Sequence, residues 1–170
     1  MTSNIIYISG GARSGKSRYA QNLAESLSPR PIYLATAQAL DSEMQQRIVR
    51  HQQDRDARWQ NIEEPLDLAG ALRRHDSEGR VILIDCLTLW LSNLMFADQN
   101  IREQRNALCA LLPTLRATLI FVSNEVGMGI VPDNALSRSF RDEAGRLNQD
   151  IAALSHQAYF MVSGLPLRLV

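Results

Sequence analysis

The chain contains one lysine, Lys16, and its other seventeen basic side chains are all arginine. That lysine lies within Gly10-Gly11-Ala12-Arg13-Ser14-Gly15-Lys16-Ser17, which fits the spacing GxxxxGK[ST]. The pattern directly follows an apolar run, "NIIYIS", and directly precedes a stretch of helical periodicity, the setting a phosphate-binding loop requires. Glycines let the backbone turn its N–H groups inward around an anion, and the next helix directs its positive end at the same point. Lys16 adds a compact charge on a flexible stem that reaches β- and γ-phosphates, where a guanidinium would impose a planar fork. Ser17 is placed to set its hydroxyl on Mg2+.

Two further positions carry chemistry, each with two readings. Asp85 ends the buried run "RVILID", at the strand end where ligands collect in open α/β sheets. It either holds Mg2+ or a substrate hydroxyl, or it caps a helix starting near Cys86. In "DSEMQQRIVRHQQDRDARW", His51 stands four residues from both Arg47 and Arg55, so a continuous helix gathers all three. An uncharged imidazole among guanidiniums, next to a bound triphosphate, is a nucleophile. Met44 and Ile48 share that face, and a packed histidine is the other reading. His75 and His156 read as surface residues. Glu125 either helps activate a hydroxyl or belongs to a structural loop, and Arg138 and Arg141 either fold over phosphates or remain solvated.

These residues need a scaffold, and the pattern supplies an alternating one. β-rich runs at 4–9, 31–36, 80–85, 118–123 and 158–163 alternate with helical patterns at 16–27, 41–55, 66–75, 86–112 and 134–156. Pro65 suits a first helical turn, and Ser42 with Gln45 has capping-box spacing. The expected fold is α/β, a mostly parallel central sheet with helices on both faces, formed by residues 1–170 as a single nucleotide-binding domain. "LPLRLV", after Gly164, is expected to add an edge strand.

Composition narrows the partners. Eighteen basic and eighteen acidic side chains cancel to a formal net charge of zero, so no global field favours nucleic acid or an anionic membrane. The two cysteines, Cys86 and Cys109, show no metal-ligand spacing and read as small core residues in a reducing compartment. No apolar stretch is long enough to span a bilayer and no secretory pattern opens the chain, so a cytoplasmic protein is expected.

Taken together, "GGARSGKS", "YLATAQ", "DSEMQQRIVRHQQDRDARW", "EEP" and above all "SNEVGMGIVPDNALSRSFRDEAGRLNQ" resemble the bifunctional adenosylcobinamide kinase/adenosylcobinamide-phosphate guanylyltransferase family of cobalamin biosynthesis, over nearly the whole chain. The resemblance implies a RecA-like P-loop NTPase fold and two reactions. ATP or GTP phosphorylates the aminopropanol hydroxyl of adenosylcobinamide. GTP then donates GMP to that phosphate, releasing pyrophosphate. It further implies that His51 carries GMP covalently, with nucleotide contacts at residues 10–17, at Ala35, Thr36 and Ala37, at Gln52, Gln53, Asp54 and Arg55, and at Glu63 and Asp85. Family members often carry glutamate where this chain has Asp85, and "QQDR" after the histidine is less basic than in many relatives. Mg2+ and a homotrimer are implied in the same way. The competing readings are a small-molecule P-loop kinase lacking nucleotidyl transfer and a nucleotide-controlled binding module, for which the chain offers no guanine-reading NKxD pattern.

Overall fold

The computed structural model describes residues 4–170, which form a seven-stranded sheet in the order β3-β2-β4-β5-β1-β6-β7. The strands are β1 (Asn4–Gly10), β2 (Ile32–Ala35), β3 (Gln60–Glu63), β4 (Val81–Asp85), β5 (Thr118–Asn124), β6 (Gln157–Val162) and β7 (Leu165–Arg168). All neighbours pair in parallel except β6 with β7, and β7 is the edge strand expected after Gly164. The helices are α1 (Lys16–Leu27), α2 (Ser42–Gln53), α3 (Leu68–His75), α4 (Leu87–Phe96), α5 (Ile101–Leu111) and α6 (Ala135–Leu154).

Alternation along the strands divides the core in two. Ile5, Tyr7, Leu34, Ile84 and Phe121 face one side, where they pack with Leu72, Trp90, Leu94, Leu108 and Ile151 from α3 to α6. Ile6, Ile8, Tyr33, Leu83 and Val122 face the other, against Ala20 and Ala24 of α1 and against Trp59. Small alanines let α1 lie close to the sheet, which draws the loop before it onto the strand ends. Each large aliphatic side chain fully buried this way contributes about 1.5–3 kcal/mol.

Several boundaries differ from expectation, each for a local reason. α2 is capped by Asp41, whose side chain accepts the Met44 N–H at 2.7 Å, so Ser42 is its first helical residue and not its cap. Asp67, accepting from the Gly70 N–H, caps α3, which leaves Pro65 outside the helix. The expected helix at 86–112 is two helices, with Asp98 at φ 53° between them and Asn100 capping the second. β3 was not expected: of "QNIE" only Ile62 is partly buried, so a short edge strand shows little apolar pattern. His156 is exposed, as expected, yet its Nδ1 accepts the Ile5 N–H at 3.0 Å and its own N–H donates to the Ile5 carbonyl.

Candidate active site

Parallel register brings the carboxyl ends of five strands to one edge. Gly10 lies opposite Asn124, while Ala35 lies between Glu63 and Asp85. Between β1 and α1 the chain makes the phosphate loop. Gly15 is the N-cap of α1 at φ 92°, a conformation that disfavours side chains. A Cβ on Gly10 would meet Ser14 Oγ at 2.6 Å and the Met161 carbonyl at 2.9 Å, so the loop can close only on glycine there. The turn after β6 braces the loop from behind, with the Gly164 N–H donating to the Ser14 carbonyl at 2.9 Å. Ser14 Oγ is buried without a hydrogen-bond partner among the described residues.

Lys16 is buried, and its ammonium donates to the Gly11 carbonyl at 2.9 Å, which holds it across the loop. Burial lowers its pKa, opposed by Cys86 and Asp85 nearby. Ser17, one residue on, lines a cleft with a cavity volume of about 240 Å3. Asp85, Glu63, Ala35 and Ala37 line the same cleft from the strand ends, and Arg47, His51, Gln52 and Arg55 line it from α2 and its exit. Ser17 and His51 also share the neighbouring cavity, which Asp54 lines.

Of residues 10–17 only Ser17 lines the cleft, and three further expected site residues stand apart from it. Gln53 points to a separate surface cavity with Gln46 and Arg50. Asp54 caps the end of α2 and faces the neighbouring cavity. Thr36 is fully buried, its hydroxyl donating to the Cys86 carbonyl at 2.7 Å and accepting the Cys86 N–H at 3.0 Å. Thr36 thus fixes the chain directly after Asp85. The helix cap at this point is Cys86, whose sulfur accepts the Leu89 N–H, and Asp85 is left free of that task.

Arg55 reaches the site by a route the helical spacing did not anticipate. α2 stops at Gln53, and the chain turns Arg55 inward until its guanidinium lies 3.5 Å from the centre of the Tyr33 ring. Its Nε donates to Asn61 Oδ1 at 3.0 Å, while Nη1 is buried with no hydrogen-bond partner among the described residues. Tyr33, absent from the sequence-level site, donates its hydroxyl to Asp85 Oδ2 at 2.8 Å. Burial, and then the Asp85 charge, push the Tyr33 phenol far above the ordinary tyrosine range, so it remains a donor.

Glu125 accepts the Gly127 N–H at 2.6 Å and so organises its own loop. Arg138 donates to the Pro132 carbonyl, and Arg141 pairs with Asp142. Among the described residues no group of three or more His, Cys, Asp or Glu side chains could hold a metal ion. Mg2+ usually needs only one or two protein oxygens beside substrate phosphates and water, and Ser17 with Asp85 meets that requirement.

A glycine loop between strand and helix, a lysine across it and an acidic strand end define a P-loop NTPase fold of the RecA-like kind. The architecture is similar to that of a prototypical ATPase from the type III secretion system of pathogenic bacteria, with a TM-score of 0.56 and 12% identity, covering 97% of this chain and 56% of that one. The sequence matches the family "Cobinamide kinase / cobinamide phosphate guanyltransferase" over residues 6–169, and the chain belongs to it. It is 49% identical to the bifunctional adenosylcobalamin biosynthesis protein CobP of Pseudomonas aeruginosa over 95% of each chain. With the protein CobU of Escherichia coli K12 it shares 37% identity over 97% of this chain and 99% of the relative. The chain is therefore a bifunctional cobinamide kinase and guanylyltransferase of cobalamin biosynthesis, using nucleoside triphosphates. Among the described residues, no helix is long and apolar enough to cross a membrane.

Proposed function

We propose that the chain phosphorylates adenosylcobinamide with ATP or GTP and then transfers GMP to the product through a covalent GMP-histidine at His51. One observation carries this reading: His51 lines the same cleft as Ser17 and Asp85, so an imidazole and the end of the phosphate loop face one volume.

In the first step the loop N–H groups and Lys16 hold the β- and γ-phosphates, and the oxygen of the aminopropanol hydroxyl attacks the γ-phosphorus as the β–γ bridge breaks and the hydroxyl proton leaves to solvent. Mg2+ held by Ser17 and Asp85 would neutralise phosphate charge. In the second step an imidazole nitrogen of His51 attacks the α-phosphorus of GTP, forming a P–N bond and expelling pyrophosphate. A phosphate oxygen of adenosylcobinamide phosphate then attacks the same phosphorus, and the P–N bond breaks to return the free imidazole. Arg47 and Arg55 stabilise negative charge on the departing oxygens.

The buried, unpartnered Nη1 of Arg55 supports that role, because an unpaired guanidinium nitrogen in a cleft wall is satisfied by a phosphate oxygen. The exposed positions of Gln52 and Glu63 suit contacts with the nucleoside. We further propose that the chain works in the cytoplasm as a homotrimer. A chase tests the reading: protein treated with GTP and freed of nucleotide is mixed with adenosylcobinamide phosphate. Stoichiometric adenosylcobinamide-GDP is expected, and a product that forms only while free GTP is present would contradict it.

A further inference from the structure

The nucleotide cleft, with a cavity of about 240 Å3, is lined by Ser17, the strand ends and α2. A second groove of about 430 Å3 opens between the end of α4, the start of α5 and the start of α6. Met95, Phe96, Ile101, Leu136 and Phe140 supply its apolar wall. Phe96 is 79% exposed and Leu136 60%, and both line this groove.

The groove and the cleft both take lining residues from α4. Leu89 of α4 lines the cleft, whereas Ser92 and Phe96 line the groove. Residues three and seven positions apart share a helical face, so Phe96 lies about 10 Å along α4 from Leu89. A second route joins the same two places. Asn124 lines the cleft, and the chain runs from it to Leu136 through a loop that exposes Val126, Met128, Ile130 and Val131.

We propose that this groove seats the corrin macrocycle of cobinamide, with the aminopropanol arm running past Leu89 to the phosphoryl site. The proposal rests on the family's acceptor and on phosphoryl transfer occurring near Ser17. Its chemistry suits the ligand: the methyl-bearing faces of a corrin meet Phe96, Leu136 and Phe140, and the peripheral amides find hydrogen-bonding groups in Ser92, Asp98 and Gln99, which line the groove. An apolar seat rimmed by a few polar groups is the usual make-up of a small-molecule site.

The test is an equilibrium titration with adenosylcobinamide, followed by corrin absorbance. Phe96→Ser/Leu136→Ser is expected to weaken corrinoid binding at least tenfold, with GTP affinity within twofold of the unsubstituted protein and an unchanged mass in solution by light scattering. Ser137→Phe, which fills the groove without removing an apolar contact, is expected to do the same. Unchanged corrinoid affinity in both variants would overturn the proposal. A lower assembly mass in the double variant would also overturn it, assigning the groove to a second copy of the chain. Failure of the unsubstituted protein to bind adenosylcobinamide would sink the acceptor reading as well, and that result is distinct from a selective loss in the variants.

Discussion

Tyr33 Oη donates to Asp85 Oδ2 at 2.8 Å, while the Arg55 guanidinium lies 3.5 Å above the centre of the Tyr33 ring. Asp85, a carboxylate lining the cleft, is thus tied, through one aromatic ring, to Arg55 just beyond the histidine-bearing helix.

Tyr33→Phe removes that donor and leaves the ring. Supporting partners of metal-binding and catalytic carboxylates are typically worth about 10–100-fold, so the kinase kcat is expected to fall about tenfold and the Mg2+ dependence of ATP binding to weaken. Asp85→Asn should produce the larger loss, and adding Tyr33→Phe to it should cost little more if the tyrosine acts through the carboxylate. Calorimetric titration of ATP with and without Mg2+ in the four proteins checks this; additive losses would mean that Tyr33 acts independently of Asp85.

Lys16→Arg keeps the charge and changes its shape. The ammonium is buried and fits beneath the Gly11 carbonyl at 2.9 Å, a space that a planar fork does not share. Kinase kcat is expected to drop about 10²–10³-fold while the thermal midpoint stays near that of the unsubstituted protein. Steady-state kinetics with a parallel melting curve would show it.

Stability should decline toward alkaline pH. Burial, partly offset by a hydrogen bond from Ser9, pushes Tyr7 up to about 12, and burial with the Asp85 charge pushes Cys86 up to about 12. Tyr33 is raised further still. Each group keeps its proton in the folded chain and loses it in the unfolded one, so the unfolded state binds fewer protons above the ordinary thiol and phenol values. These groups therefore leave stability unchanged below about pH 8 and lower it above, by up to about 1.4 kcal/mol per pH unit for each group ionised only when unfolded. Urea midpoints measured from pH 7 to 11 should trace this decline, and Tyr7→Phe should make it shallower.

Much of the site was legible because its signals are local. Glycine spacing, a single lysine and flanking periodicity locate the loop, and five strands with their helices follow from apolar runs. What was missed depends on tertiary contacts. Tyr33 sits in an apolar strand and reads as core, since nothing in "PIYLAT" shows that its hydroxyl reaches a carboxylate 52 positions away. Arg55 was expected beside His51 through helical spacing. It reaches the same cleft instead because α2 ends at Gln53 and the chain turns the side chain inward over Tyr33. β3 escaped notice because a polar edge strand is specified by its pairing with β2 more than by its own residues.

The measurement that bears most directly on His51 is the intact mass of the purified protein after exposure to GTP and Mg2+, followed by peptide mapping. The account predicts a gain of one GMP per chain, located on the peptide containing His51, acid-labile and base-stable, and lost in His51→Ala. No gain in mass, or a GMP that persists when His51 is replaced, would contradict it.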